Sequence, residues 1–441
     1  MTSSPTLTIL SILTIMGLLI ASSSVCVVRG YLGGESARKL VHVGMGIICA
    51  FFPWIFNAVL QVQVLGAVAV FSILIIRCSF IRQHLGASLF SVSRISVGEL
   101  LFPIAIAWLF TLYKINEVTP VFYVIPILLL TLADTAGAIF GTRIGKRIYK
   151  TASGSKSVEG SIAFFLTALL CTVIPLYFFT THDFRHIIFA SFAVALFFTI
   201  IEGASGAGVD NLLIPIGSYF LLIYYLEQSS ESLWLRASVL FFILLLFILT
   251  RTWHSLNGGA AMSASLLCFI AFIMGGIFCL AASLMLLIRH MVALKKTPDQ
   301  LRHTHSIEAV VAVGAPAVMW LTLGRSGVID MNLSRLLFIA TLAVTIAALH
   351  LGTIKYLKQT SLTFRQFLKA NLLGAGILFL TLPIAHNTSF YSLVIPFMLL
   401  SSLTFHSIRS YEPNLLSDWA KLYFINSLCS LSIYYAYTTT N

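Results

Sequence analysis

One kind of segment dominates this chain and limits what it can fold into. Apolar runs of about 15 to 25 residues, long enough to cross the hydrocarbon core of a bilayer as a helix, recur along its whole length. The first lies near 7–28 and the last near 420–437. Backbone in lipid must satisfy its own hydrogen bonds, so such runs are helices or barrel strands. The strict alternation of a barrel strand is absent. Of the 441 residues, 59% are hydrophobic and 10% charged, more apolar surface than a soluble fold of this size needs to bury. The expected fold is therefore all-α, a polytopic helical membrane protein with about 14–15 transmembrane helices at one helix per run. The first run has no cation before it and reads as a retained span. The seven cysteines sit mostly in or beside apolar runs with no C-x-x-C pair, which reads as core packing rather than a disulfide or zinc framework.

The net charge of +12 fits basic loops facing anionic headgroups rather than nucleic acid. The connection carrying Arg143, Lys146, Arg147, Lys150 and Lys156 is the most basic, which places it on the cytoplasmic side. Counting spans puts loops 29–40, 77–99 (with Arg77, Arg82 and Arg94) and 202–210 on that side too. The count then conflicts with the rule. The basic loop 289–308 falls outside by simple counting, and 260–288, with Gly275 and Gly276 in its middle, reads as two short helices or a re-entrant pair.

Acids divide the chain. Of its fifteen Asp and Glu, those in or bordering apolar runs are Glu99, Asp134, Glu159, Glu202 and Asp210, all before residue 260. Asp299, Glu308, Asp330, Glu412 and Asp418 lie in polar connections. Carboxylate chemistry is thus expected within roughly residues 30–260 of a first domain, 1–260, and 261–441 reads as an additional helical module without an acid site. His303 and His305 with Glu308 have the residue types of a metal site, but loop histidines are commoner without one.

Three stretches carry the chemistry. In "LADTAGAIFGTRIGKRIYKTASGSKSVEGS", residues 132–161, Asp134, Gly137, Gly141 and Gly145 share one helical face. Small residues at that spacing admit a second helix closely. They do not explain an acid within a membrane span, which is costly and marks a functional candidate. Lys146, Lys156 and Ser157, with Gly154 and Gly160, are the groups a polyphosphate needs, although a solvated basic loop accounts for the charge as well. Ser157 is placed to cap the following helix, without the acid three residues on that a capping box requires. In "IEGASGAGVDNLLIP", residues 201–215, Glu202 closes one run and Asp210-Asn211 opens the next across a turn of small residues. Together with Asp134 these acids suit Mg²⁺, which takes carboxylates plus substrate phosphates; Asp210 alone would equally favour a helix N-terminus. In "ARKLVHVG", residues 37–44, Arg38, Lys39 and His42 sit at a membrane edge, with Lys39 and His42 on one face.

Together "RKLVH", "DTAGAIFGTRIGK" with "KSVEGS", and "IEGASGAGVDNLLIP" resemble the polyprenol kinase family, which includes phytol and dolichol kinases and is related to CTP-using phosphatidate cytidylyltransferases. The resemblance covers roughly residues 30–260. It implies a CTP-dependent kinase that phosphorylates a membrane isoprenoid alcohol of the phytol, geranylgeraniol, farnesol or dolichol class. The implied catalytic groups are Asp134, Lys156, Glu202 and His42. Mg²⁺ would lie on Asp134 with Glu202 or Asp210. The nucleotide would be met by Lys146, Lys156, Ser157, Glu159, Gly160 and Asn211, joined by Arg38 and Lys39. The partners are then a nucleotide from the cytoplasmic side and an alcohol in the bilayer, in a bacterial inner membrane or an organelle membrane. The rivals are cytidylyl transfer to a lipid phosphate and transport of an anionic solute. "SKSVEG" lacks the aromatic residue of "KKTWEG"-like cytidylyltransferase elements, and no second copy of the Asp134 or Glu202 elements marks an inverted repeat.

Overall fold

The computed structural model describes residues 5–77, 97–151, 154–294, 305–358, 362–384, 389–409 and 416–440. Packing divides the chain into two compact units, Met1–Ser238 and Val239–Asn441. Among the described residues, eleven helices are long and apolar enough to cross a membrane, and Asp210–Leu226 and Ile277–Val292 are shorter apolar helices. Some runs that the sequence counts as spans are shorter or broken helices. The run 41–60 falls in Gly34–Ala50 and Phe52–Ile55, because Pro53 starts a new helix rather than continuing the old one.

The first unit contains α1 (Pro5–Val28), α2 (Gly34–Ala50), α3 (Phe52–Ile55), α4 (Val59–Ile76), α5 (Gly98–Ile115), α6 (Val121–Leu128), α7 (Asp134–Ile144), α8 (Val158–Phe179), α9 (Phe184–Ala204) and α10 (Asp210–Leu226). A π-helical turn, Leu129–Ala133, joins α6 to α7. Its buried Leu129, Leu130 and Ala133 pack with Phe164, Ala168, Val194 and Phe198 from α8 and α9. A second core gathers Phe52, Phe56, Leu65, Leu109, Phe110 and Tyr123 around α3 to α6. The basic segment after α7 is not all loop. It forms a small antiparallel hairpin of β1 (Ile148–Thr151) and β2 (Gly154–Ser157).

Helix α11 (Ser230–Leu249) crosses the division in sequence. The second unit continues with α12 (Gly258–Gly275), α13 (Ile277–Leu294), α14 (Ile307–Arg325), α15 (Met331–Lys358), α16 (Phe364–Leu378), α17 (Ser389–Ile408) and α18 (Leu416–Thr440). Helix α15 is its axis: 83% of its apolar window is buried, against 17% for α4 in the first unit, whose apolar surface is left for lipid. Helices α12 and α13 are two helices rather than one. Gly276 adopts φ +82°, a conformation that ends α12 and that side chains rarely reach. The His305 amide donates to the Ser255 carbonyl at 3.0 Å, so the chain before α12 and the chain after α13 meet at one end of the unit. Two short helices or a re-entrant pair at 260–288 would both bring its ends together in this way.

The glycine face of α7 packs against α8. A Cβ on Gly160 would lie 2.7 Å from the Gly137 carbonyl oxygen and 3.0 Å from the Gly141 Cα, backbone atoms that cannot swing aside. Gly376, by contrast, has open space where a Cβ would stand. Gly160→Ala should therefore destabilise the folded protein by about 1–3 kcal/mol through overpacking. Gly376→Ala should leave thermal melting in detergent unchanged or slightly raised; equal melting of both variants would contradict the close crossing.

Candidate active site

The charged residues of α2 and α7 meet inside the first unit. Lys39, His42 and Gly46 fall on one face of α2, three and four residues apart. Gly46 lets that face close on the π-helical turn, where a Cβ would strike the Thr131 side chain. The approach brings Lys39 Nζ to 2.5 Å from the Asp134 carboxylate, with both side chains largely buried. His42 Nε2 lies 3.8 Å from the same carboxylate and 2.9 Å from the Leu130 carbonyl oxygen in the π turn. A carbonyl only accepts, so Nε2 carries the hydrogen and Nδ1 keeps the lone pair. The Phe102 ring packs edge-on to His42 at 5.1 Å. π-helical turns of this kind are frequent at functional sites.

The hairpin supplies the second ion pair. In an antiparallel ladder, directly opposed residues share a face, and Tyr149 opposes Lys156 while Lys150 opposes Ser155. Tyr149 and Lys156 turn inward, and Lys150 is exposed. Lys156 Nζ donates to a Glu202 carboxylate oxygen at 2.7 Å and also to the Glu202 backbone carbonyl. Tyr149 shares a 2.7 Å hydrogen bond with Ser161, and burial pushes its phenol well above the usual range, so it stays neutral. Ser157 caps α8, accepting from the Gly160 amide at 3.1 Å. Glu159 accepts from the Lys146 amide at 3.1 Å and the Arg147 amide at 3.2 Å, which anchors the entrance to the hairpin. The Lys146 side chain is exposed and stands apart from both ion pairs.

The third carboxylate arrives on the turn between α9 and α10. Ala207 at φ +56° and Gly208 at φ +85° make the reversal tight, and the Ala207 carbonyl accepts from the Val97 amide at 3.0 Å. Asp210 sits in the first turn of α10, where Val209 rather than Asp210 is the cap. It has no ion pair among the described residues. Its neighbour Asn211 donates to the Gly98 carbonyl at 2.9 Å and so ties α10 to the start of α5. Asp134, Glu202 and Asp210 lie close enough to act on one another electrostatically, and Lys156 acts on all three. Among the described residues no three His, Cys, Asp or Glu converge tightly enough to hold a metal unaided. That donor set fits a cation that arrives with phosphate oxygens and takes only part of its coordination from protein.

Beside the cluster lies a cavity of about 330 Å³. Arg38, His42, Glu99 and Asn211 contribute polar lining, and the remaining wall is largely apolar, including Val62, Leu65 and Ile106. Arg38 is held by Glu35 at 2.7 Å, and Glu99 pairs with Arg77 at 3.2 Å. Sequence reading gave Glu99 no role, although an acid opening an apolar helix was the available signal. Arg82 and Arg94 lie outside the described residues.

The fold and this arrangement define a multi-pass membrane protein whose charged cluster stands against an apolar cavity. The phytol kinase of Synechocystis sp. is 32% identical to this chain over 186 residues, which are 42% of this chain and 76% of that protein. The chain belongs to the phytol kinase family. No family model and no solved structure matches it.

Removing one partner of a buried ion pair strands the other. Lys156→Ala should cost about 3 kcal/mol or more by leaving Glu202 uncompensated, and Glu202→Gln in the same chain should recover part of the loss. Lys150→Ala should leave melting unchanged. Additive effects of the 156 and 202 substitutions would contradict the pairing.

Proposed function

We propose that this chain is a CTP-dependent kinase that phosphorylates an isoprenoid alcohol in the membrane. The observation that carries the reading is the shared wall between the two compartments. His42 lines the apolar cavity and also approaches Asp134, which Lys39 already holds. A hydroxyl at the head of a lipid in that cavity would meet the charged cluster without leaving the bilayer. Kinship with a phytol kinase supports the reaction class. A cavity of about 330 Å³ favours an alcohol of the length of phytol, geranylgeraniol or farnesol over the much longer dolichol.

Phosphoryl transfer needs positioning and charge neutralisation more than covalent catalysis. Lys156 and Lys39 would turn from their carboxylates to phosphate oxygens. Lys146, on the exposed approach, would meet the distal part of the nucleotide. Asp134, with Glu202 and Asp210, would hold Mg²⁺, which supplies further neutralisation of the phosphates when bound. The alcohol oxygen bonds to the γ-phosphorus as the bond to the β–γ bridging oxygen breaks, and CDP leaves. The hydroxyl proton passes to a carboxylate of the cluster. A carboxylate not engaged by the metal, or His42 Nδ1, would serve as that acceptor. Ser157, Glu159 and Gly160 hold the hairpin and α8 in place for Lys156. All these groups lie in the first unit.

With purified protein in lipid nanodiscs, labelled CTP and phytol should yield CDP and phytyl monophosphate, more efficiently than ATP. Asp134→Asn should lower turnover by about a hundredfold or more with membrane insertion intact. Release of pyrophosphate instead of CDP would replace the kinase reading with cytidylyl transfer, and near-normal turnover of the variant would remove Asp134 from the site.

The positive-inside pattern supports a nucleotide site facing the cytoplasm. Single cysteines introduced as Arg147→Cys and Ser155→Cys, in a background without other reactive thiols, should resist a membrane-impermeant thiol reagent in intact cells. They should react once the membrane is opened. Labelling in intact cells would place the hairpin on the opposite side.

A further inference from the structure

The second unit contains a polar knot that the proposed reaction does not use. The Ser255 hydroxyl bonds His290 Nε2 at 2.8 Å and also His305 Nδ1. The Asn257 amide donates to the His305 carbonyl at 2.9 Å, and the Trp419 ring packs edge-on to His305 at 5.2 Å. Arg289, on apolar α13, donates to His350 Nδ1. Arg409 Nε stands 3.9 Å from the Asp418 carboxylate, which Lys421 also engages at 2.9 Å. Arg289, His290, His305, Arg409 and Trp419 all line one cavity of about 140 Å³, whose remaining wall is mostly leucine, valine and alanine.

Among the described residues, the cations around this cavity outnumber the carboxylates. Arg289, Arg409 and Lys421 bring three cations, and Asp418 is the one described carboxylate that pairs among them. Arg289 has no carboxylate partner among the described residues. A guanidinium on a membrane helix with only an imidazole for company is costly and marks a functional position. The histidines do not make this a cation site. No three metal-ligating side chains converge among the described residues, and two guanidiniums repel a metal ion. Burial, and next the Arg409 charge, hold His305 near 4, so its ring is neutral and serves as a hydrogen-bonding wall. His303 lies outside the described residues, and Glu308 accepts from Ser306 rather than meeting His305. The metal group suggested by the sequence is therefore not formed by His305 and Glu308.

We propose that the second unit binds a single-chain amphiphile with a phosphate headgroup, its phosphate between Arg289 and Arg409 and its chain along the apolar wall of the same cavity. Planar guanidiniums match phosphate oxygens in paired hydrogen bonds, and Asp418, which already engages Arg409 and Lys421, would share Arg409 with the phosphate. The volume suits a headgroup and the first part of one chain rather than a two-chain lipid. A phosphorylated lipid alcohol is a molecule of this class, but the inference rests on the second unit alone.

The test uses the full chain carrying Asp134→Asn, so that the first unit does not turn over, in nanodiscs of neutral lipid. Dodecyl phosphate, dodecanol and inorganic phosphate are titrated as probes. Dodecyl phosphate should bind saturably, and Arg289→Gln should weaken it by about tenfold or more, the scale of a lost charge-assisted hydrogen bond. Arg409→Gln reads the same site through a second residue, and Arg289→Lys should weaken binding less than Arg289→Gln. Failure of inorganic phosphate to displace the probe assigns the site to a lipid headgroup, and displacement at equal concentration assigns it to free phosphate. Dodecanol binding as tightly as dodecyl phosphate, or binding unchanged in both glutamine variants, overturns the proposal.

Discussion

The ion pair between Lys39 and Asp134 is the contact on which the rest of the first unit depends. A carboxylate in a membrane-crossing helix is tolerated only if something inside the protein compensates it. The compensating lysine is 95 residues away in sequence, so two helices must be brought face to face and held at 2.5 Å. Gly46 removes the side chain that would keep α2 away, and the wide π turn places Asp134 and the Leu130 carbonyl toward Lys39 and His42. Local irregularity and long-range electrostatics thus solve one problem together.

The same solution appears a second time at Lys156 and Glu202. Here the lysine comes from a hairpin rather than a helix. The hairpin is fixed by Glu159 at its entrance and by the Ser157 cap at its exit. Glycines at 137, 141 and 160 set the helix below it at close range. Two lysines face two carboxylates; on the proposed reading the cations would turn to phosphate and leave the carboxylates to a divalent ion. Asp210, without a cation, is the asymmetric member of the set. On the proposed reading, a polyphosphate would compete with the carboxylates for the two lysines.

Much of this was readable from the sequence, for physical reasons. The bilayer-length apolar runs required helices. Asp134 stood out because a packing face of glycines has no use for an acid, and the Glu202–Asp210 turn stood out through its small residues. What could not be read was partner choice, since charge and spacing do not say that Lys39 meets Asp134 or that Lys156 meets Glu202. The hairpin was hidden because two strands of four residues in a glycine-rich, cationic segment carry too little periodicity. The roles of Glu159 as a loop anchor and Asn211 as a brace to Gly98 needed backbone positions. The cavity was invisible because its walls come from separate helices, each apolar for reasons that lipid alone would explain. The polar knot of the second unit was hidden in the same way, with Ser255, His305 and Arg409 in three connections of the chain and His290 in a helix.

The central claim is that the two ion pairs are placeholders for a nucleotide's phosphates. A cryo-EM structure of the protein in nanodiscs, with Mg²⁺ and a non-hydrolysable CTP analogue, tests it most directly. The account predicts phosphate density within hydrogen-bonding reach of Lys39 and Lys156, with the Lys156–Glu202 contact opened and Asp134 turned toward the divalent ion. Nucleotide density elsewhere on the molecule, with both ion pairs still closed, would contradict it.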